Sequence, residues 1–268
     1  MLNFIKNMNI SIKHWWFFLI IISIINVGLI LLTLQNVKSN FEMKLFYLAF
    51  IYILVNSVRG IWLREDIQRL CLHNNTLSSP LIGRVITTVS EISFVLLIVL
   101  IFKQIVNTSN HNPNIHLVLN FIILAIVIAE IFCWKGCLST EQYWNMLEES
   151  TWTLSSFLIM VISIFMLFNE KNITFKRFLY ITIFATILYQ IFMITVDIPM
   201  YYNRSNNVTT EATDILSQVN DMADCKIISE SNDYWDQEIP WLTGYFTFGS
   251  WIAIILVIWY QNNKSLFK

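Results

Sequence analysis

Residues 81–102 read LIGRVITTVSEISFVLLIVLIF, an apolar stretch that contains one arginine and one glutamate. A helix needs roughly 20 mostly apolar residues to cross the hydrocarbon core of a bilayer. Arg84 and Glu91 are seven positions apart, so both side chains fall on one face of such a helix. The stretch therefore predicts a membrane-spanning helix with a polar face.

The composition of the whole chain agrees with a lipid environment. Of 268 residues, 56% are hydrophobic and only 13% are charged, and the mean hydropathy is +0.59. These values are typical of membrane proteins rather than of soluble domains. A net charge of −1 and the lack of any Lys/Arg run exclude a nucleic-acid-binding surface.

Apolar stretches of similar length recur along the chain. Seven predicted helices cover residues 15–34, 45–62, 81–102, 115–134, 150–168, 178–198 and 241–260. We assign them as helices because lipid offers the backbone no hydrogen-bonding partners. Glu148 and Glu149 precede the fifth helix, where we expect solvation at the level of the headgroups. The sequence thus predicts an all-α fold, a polytopic transmembrane helical bundle of about seven spans that forms one transmembrane domain over residues 1–268.

Two of the seven stretches allow a second interpretation. The first follows Lys6 and Lys13, as the core of a signal peptide would, but its length and the lack of a small-residue cleavage site favour a retained helix. The second is short, because few uncharged residues separate Lys44 from Arg59. Losing either helix would leave six spans and change which loops share a face.

The orientation depends on the long polar loop predicted for residues 201–240. The Lys and Arg residues divide nine to eight between the loops on the two sides of the membrane. Their distribution therefore does not indicate which side faces the cytosol. The loop is acidic and carries N-glycosylation patterns at Asn203 and Asn207. We therefore expect it to be extracellular or lumenal, in the plasma membrane or an endomembrane. The pattern at Asn74 agrees with this, whereas those at Asn107 and Asn172 oppose it.

With seven helices, all four cysteines fall on the same face as the long loop. An even number of cysteines on one face is typical of disulfide bonds on an oxidising side. Four reduced thiols are the alternative. The candidates for disulfide bonds are Cys71, Cys133, Cys137 and Cys225.

Polar residues inside the predicted helices are the candidates for function. An ionisable group near the bilayer centre costs at least ~2.5 kcal/mol, so it normally faces the bundle interior or a wet cavity. Carboxylates outnumber arginines among these residues, which predicts an acidic vestibule for a small cation, a proton or an amine. Structural pairing between helices is the alternative. The candidate ligand- or ion-binding residues are Glu91, Arg84, Thr88, Glu130, Gln190, Asp197 and Arg59.

Catalytic motifs are missing from the sequence. The four histidines are scattered, Cys133 and Cys137 do not form a CxxC pair, and no phosphate-binding or nucleophile motif occurs. We therefore predict no metal site and no cofactor, and an enzyme is disfavoured. Three hypotheses remain: a transporter or channel-like protein, a structural or assembly subunit of a membrane complex with unknown partners, and an unconventional seven-helix receptor or sensor.

Overall fold

The computed structural model describes residues 11–205 and 214–267. Seven helical segments in these ranges are long and apolar enough to cross a membrane, which confirms the predicted all-α membrane fold. Their backbone hydrogen bonds are made within each segment, as a hydrocarbon environment requires. The spans are Ile12–Asn36, Asn40–Ile61, Pro80–Thr108, Ile115–Ser139, Gln142–Asn169, Ile173–Ser205 and Ile239–Phe267.

The helices are numbered here in chain order. The first six are α1 (Ile12–Thr33), α2 (Asn40–Ile61), α3 (Pro80–Thr108), α4 (Ile115–Ser139), α5 (Gln142–Asn169) and α6 (Ile173–Phe192). The rest are α7 (Ile198–Ser205), α8 (Ile215–Ala223), α9 (Asn232–Trp235), α10 (Ile239–Gly244) and α11 (Ser250–Asn263). Three short strands are β1 (Arg64–Glu65), β2 (Leu70–Cys71) and β3 (Ile227–Ile228).

Most spans are longer than predicted because the helices continue past their apolar cores into polar flanks. The largest shift of a helix start is in α5, which begins at Gln142 rather than at residue 150. Glu148 and Glu149 therefore lie inside the helix and are buried. Their assignment to a solvated helix end was wrong, because the apolar run defines only the minimum length of a helix.

The sixth span was predicted to end at residue 198, but it continues past Pro199 to Ser205. A π turn, Met193–Asp197, precedes α7, and the Ile198 N–H donates to the Met193 carbonyl. Such a turn shifts the hydrogen-bond register by one residue and commonly accompanies a kink, which accommodates the proline. The predicted loop 201–240 is also wrong as a single loop, because α7 to α10 and β3 occupy most of its described part.

Contacts divide the chain into two compact units. The first comprises Met1–Phe94 and Thr213–Gln261, and the second comprises Val95–Ala212 and Asn262–Lys268. The helix α3 contributes its first half to the first unit and its second half to the second unit.

In the first unit, the residues outside the spans fold into a small cap, which we define as residues 63–79 and 214–238. Its three strands form one sheet in which β2 pairs antiparallel with β1 and parallel with β3. Leu63, Leu70 and Trp235 of the cap are fully buried and pack with Trp15 and Leu19 of α1. The cap is therefore anchored by a shared apolar core.

A disulfide and an ion-pair network connect the two segments of the cap. Cys71 is bonded to Cys225. Asp221 accepts from Arg69 at 3.2 Å and from Lys226 at 3.0 Å. Partial burial raises the pKa of Asp221, but the hydrogen bonds and charges of Lys226 and Arg69 outweigh it and hold that pKa below its usual value.

The disulfide narrows the set of predicted cysteine pairs. Cys133 and Cys137 are buried thiols on a single helix, α4, and are not bonded to each other. The prediction that they take part in a disulfide is wrong. Side chains four residues apart on one helix project side by side, which does not suit the geometry of a disulfide between them.

In the second unit, α5 packs against α4, α6 and α7. Gln190 on α6 donates its amide to the Thr153 carbonyl on α5 at 2.7 Å. His111 and Glu170 meet at 3.1 Å and connect the turns that precede α4 and α6. These polar contacts join neighbouring elements where apolar packing alone gives little specificity.

We expect that two of the four cysteines react with a maleimide reagent in the denatured, unreduced protein, and that all four react after reduction. The variant Cys225→Ser should expose three thiols without reduction, since Cys71 loses its partner. It should also unfold more easily, by about 2 kcal/mol, because the two cap segments are no longer cross-linked.

The variant Cys137→Ala is the control for this experiment, since it removes a thiol that lies outside the disulfide. It should leave one reactive thiol before reduction and three afterwards. Four reactive thiols in the unreduced wild-type protein would contradict the assigned bond.

Candidate functional site

Glu91 on α3 lies at the centre of a polar cluster in the first unit. One carboxylate oxygen, Oε2, accepts from Arg84 Nη2 at 3.0 Å, and the other, Oε1, accepts from the Tyr245 hydroxyl at 2.8 Å. Glu91 is 7% exposed and Arg84 is 4% exposed. The charge of Glu91 is thus held in a buried ion pair.

Local backbone geometry brings these three side chains together. Arg84 and Glu91 are two helical turns apart on one face of α3. Tyr245 begins a π turn, Tyr245–Gly249, between α10 and α11. A π turn inside a helix redirects the side chains near it, and such turns are frequent at functional sites.

Arg59 and Tyr52 on α2 extend the cluster. The Arg59 guanidinium lies 5.3 Å from the centre of the Tyr245 ring and 5.8 Å from that of Phe246, which is cation–π geometry. Tyr52 stacks on Phe94 at 4.4 Å. A Cβ atom at Gly249 would lie 2.5 Å from the Tyr52 hydroxyl, so glycine is required for this approach.

Arg64 and Asp66 belong to the cap and border the cluster. Arg64 donates from Nε to Asp66 at 3.1 Å and from Nη1 to the Leu77 carbonyl at 3.0 Å. Burial lowers the pKa of Arg64 to about 10, with Arg59 and Arg84 acting in the same direction and Asp66 opposing them. Within the first unit, Glu91 is thus ion-paired with Arg84, and Asp66 is ion-paired with Arg64.

The second unit contains a different arrangement, in which two carboxylates face each other. Glu130 on α4 and Glu148 on α5 are 3% and 4% exposed. One carboxylate oxygen of Glu130 lies within 4.8 Å of one of Glu148. Both residues are inside membrane-spanning helices. We refer to them as the carboxylate pair.

Asn145 completes this arrangement. Its Nδ2 donates to Glu148 Oε2 at 3.1 Å. Its Oδ1 is buried and accepts no hydrogen bond from the described residues. The amide reaches this position because residue 136 is glycine: a Cβ atom there would lie 2.0 Å from Asn145 Oδ1. An amide oxygen and two carboxylates thus lie together in the interior.

Two buried carboxylates at this separation cannot both remain ionised without compensation. A shared proton or a positive charge, whether of a protein side chain or of a bound ion, can supply this compensation. Carboxylate and amide oxygens are the ligands that hard cations prefer. The pair therefore has the chemistry of a site for a proton or for a cation.

The remaining predicted site residues have different surroundings. Thr88 is half-buried on α3 in the first unit. In the second unit, Gln190 donates to Thr153 as a helix contact, and Asp197 is buried at the end of a π turn. Of the seven predicted residues, the structure brings Arg59, Arg84 and Glu91 together, and Glu130 lies beside a residue outside the predicted set.

The candidate residues chosen from the sequence did not include Glu148, Asn145 and Tyr245. The first two lie three positions apart, so they share a face of any helix that includes both, and an earlier predicted start of α5 would have found them. For Tyr245, no spacing rule applies, because its orientation depends on a π turn.

The fold defines an integral membrane protein that crosses the bilayer several times and contacts lipid. Comparisons of the chain with protein-family models, with curated proteins and with solved structures find no match.

We expect that Arg84→Met strongly destabilises the protein in detergent, by about 3–5 kcal/mol, because it leaves the Glu91 carboxylate in the interior without its ion-pair partner. The double variant Arg84→Met with Glu91→Gln should recover most of this loss, since it removes both charges. Thermal unfolding followed by circular dichroism measures the effect. Equal stability of the single and double variants would contradict the ion pair.

We also expect that Gly136→Ala lowers stability, because the added methyl group collides with Asn145. The control is Gly28→Ala in α1, where an added Cβ atom would meet nothing within 4 Å. Both changes raise helix propensity by the same amount, so a difference in thermal midpoint reports the contact alone. A similar midpoint for the two variants would show that Asn145 does not pack on Gly136.

Proposed function

We propose that this protein binds protons or small cations within the membrane and moves them across it, with the carboxylate pair as the binding site. The observation that carries the proposal is the approach of Glu130 and Glu148 within 4.8 Å, with both side chains buried. Ionisable groups in membrane interiors are costly, and they commonly mark ion pathways and proton relays.

The two members of the pair differ in their surroundings. The Asn145 amide donates to Glu148, and a donated hydrogen bond stabilises the ionised form of a carboxylate. Either carboxylate can then serve as the position of an exchangeable proton. A cation would instead use oxygens of both carboxylates, with the Asn145 amide oxygen as a further ligand after a small rotation.

The contacts of Glu91 support the choice of the carboxylate pair as the proposed binding site. Glu91, one of the candidate binding residues from the sequence, is paired with Arg84, so we assign it a mainly structural role. The hypotheses of an assembly subunit and of a receptor stay predictions, because no contact in the described residues favours either of them.

The orientation proposed for the chain places the cap outside the cytosol. The Cys71–Cys225 bond supports it, because disulfides persist on oxidising sides of membranes. The amino terminus then lies on the same side as the cap, and the carboxyl terminus faces the cytosol.

The test uses purified protein in liposomes that contain a pH-sensitive dye. We expect the wild type to dissipate an imposed pH gradient, or to exchange protons when a Na⁺, K⁺ or Ca²⁺ gradient is imposed. The variants Glu130→Gln and Glu148→Gln should reduce the flux to that of empty liposomes, since an amide neither binds a proton at neutral pH nor carries charge.

Glu230→Gln is the matched control, because it makes the same chemical change at an exposed residue of the cap that pairs with Lys13. It should retain the wild-type flux. Wild-type flux in Glu130→Gln, or no flux of any tested ion in the folded wild type, would contradict the proposal.

A further inference from the structure

The loop between β2 and α3 carries the sequence Asn74-Asn75-Thr76, an acceptor pattern for an N-linked oligosaccharide. Residues 74–77 are all exposed. Asn75 has an extended backbone, with φ −152° and ψ 165°, and its side-chain oxygen accepts from the Ser78 N–H at 3.0 Å. This hydrogen bond closes the start of a short 3₁₀ turn and fixes the loop. The Asn74 side chain remains on the outside.

The other acceptor patterns in the described residues are less suitable. Asn107 contacts His116 Nε2 through its side-chain oxygen at 2.9 Å. Asn172 caps α6 by accepting from the Thr174 N–H at 2.8 Å. Asn203 and Asn263 lie within α7 and α11. Asn74 combines an exposed, non-helical backbone with an amide that makes no hydrogen bond to the described residues.

Space and location also favour Asn74. An open polar cleft of about 290 Å³ lies between its loop and residues 223–225, beside the Cys71–Cys225 disulfide. The first sugar of a glycan has room in such a cleft. Cys71 is three positions before Asn74, so the acceptor and the disulfide lie on the same side of the membrane.

We propose that Asn74 carries an N-linked glycan that covers the disulfide side of the cap. The proposal rests on the orientation given above and is independent of the transport activity. A glycan at this position also covers Leu77, an exposed apolar side chain of the same loop. It further fixes the cap outside the cytosol, because a large hydrophilic group cannot re-enter the bilayer.

The test starts from the full chain, expressed in cultured animal cells, with Asn9, Asn203 and Asn207 each changed to Gln. These are the other acceptors that the seven-span topology assigns to the same side. We expect one glycan, seen as a gel shift that a peptide-N-glycosidase removes. Asn74→Gln and Thr76→Ala should abolish the shift. Thr76→Ser should retain it, because serine preserves the acceptor pattern.

A further variant separates failure at Asn74 from failure of the orientation. Ile215→Asn, added to the Asn74→Gln protein, completes an acceptor pattern with Ser217 at a residue that is 74% exposed in the cap. If the acceptor introduced by this substitution is modified and Asn74 is not, the Asn74 proposal is wrong and the orientation stands. A glycan on Asn107 or Asn172, with none in the cap, would overturn both.

Discussion

A charge inside the hydrocarbon core of a membrane must be neutralised, because no water is present to solvate it. This constraint organises the polar interior of both units. In the first unit, Arg84 neutralises Glu91 directly, and the Tyr245 hydroxyl satisfies the second carboxylate oxygen. In the second unit, Glu130 and Glu148 approach each other, so their mutual repulsion requires compensation as well. The same requirement thus accounts for an ion pair in the first unit and underlies the site proposed in the second.

Departures from regular packing make these approaches feasible. Small residues allow polar side chains to reach the backbone of a neighbouring element: Gly83 faces Arg64, Gly136 faces Asn145, and Gly249 faces Tyr52. At each of these positions, a Cβ atom would lie 2.5 Å or less from the polar side chain. The π turn that begins at Tyr245 acts in a similar way, since it redirects a side chain that a regular helix would place elsewhere. Buried polar contacts therefore depend on local backbone features as much as on the charged residues themselves.

The sequence was sufficient to predict the number and the approximate positions of the spans, because one physical quantity, the length of an apolar run, determines both. It was insufficient where other forces decide the structure. The start of α5 lies in a polar segment, so run length placed Glu148 and Glu149 outside the helix. Within the cap, β2 pairs with β3 across a sequence separation of more than 150 residues, and the Cys71–Cys225 bond spans 154. No local pattern predicts such pairings. The site residues Glu91 and Glu130 were found from the cost of burying charge, and Arg84 from its spacing to Glu91, whereas the positions of Tyr245 and Glu148 depend on packing.

Glu91 and the carboxylate pair differ in their contacts, and this difference supports the pair as the proposed binding site. A ligand cation at Glu91 would have to compete with the Arg84 guanidinium, which is covalently part of the same helix and present at a fixed distance of 3.0 Å. Such an internal competitor has a very high effective concentration, so a dilute cation displaces it poorly. At the carboxylate pair, a proton or a cation would reduce the repulsion between two like charges. We therefore propose binding at the carboxylate pair and a mainly structural role for Glu91.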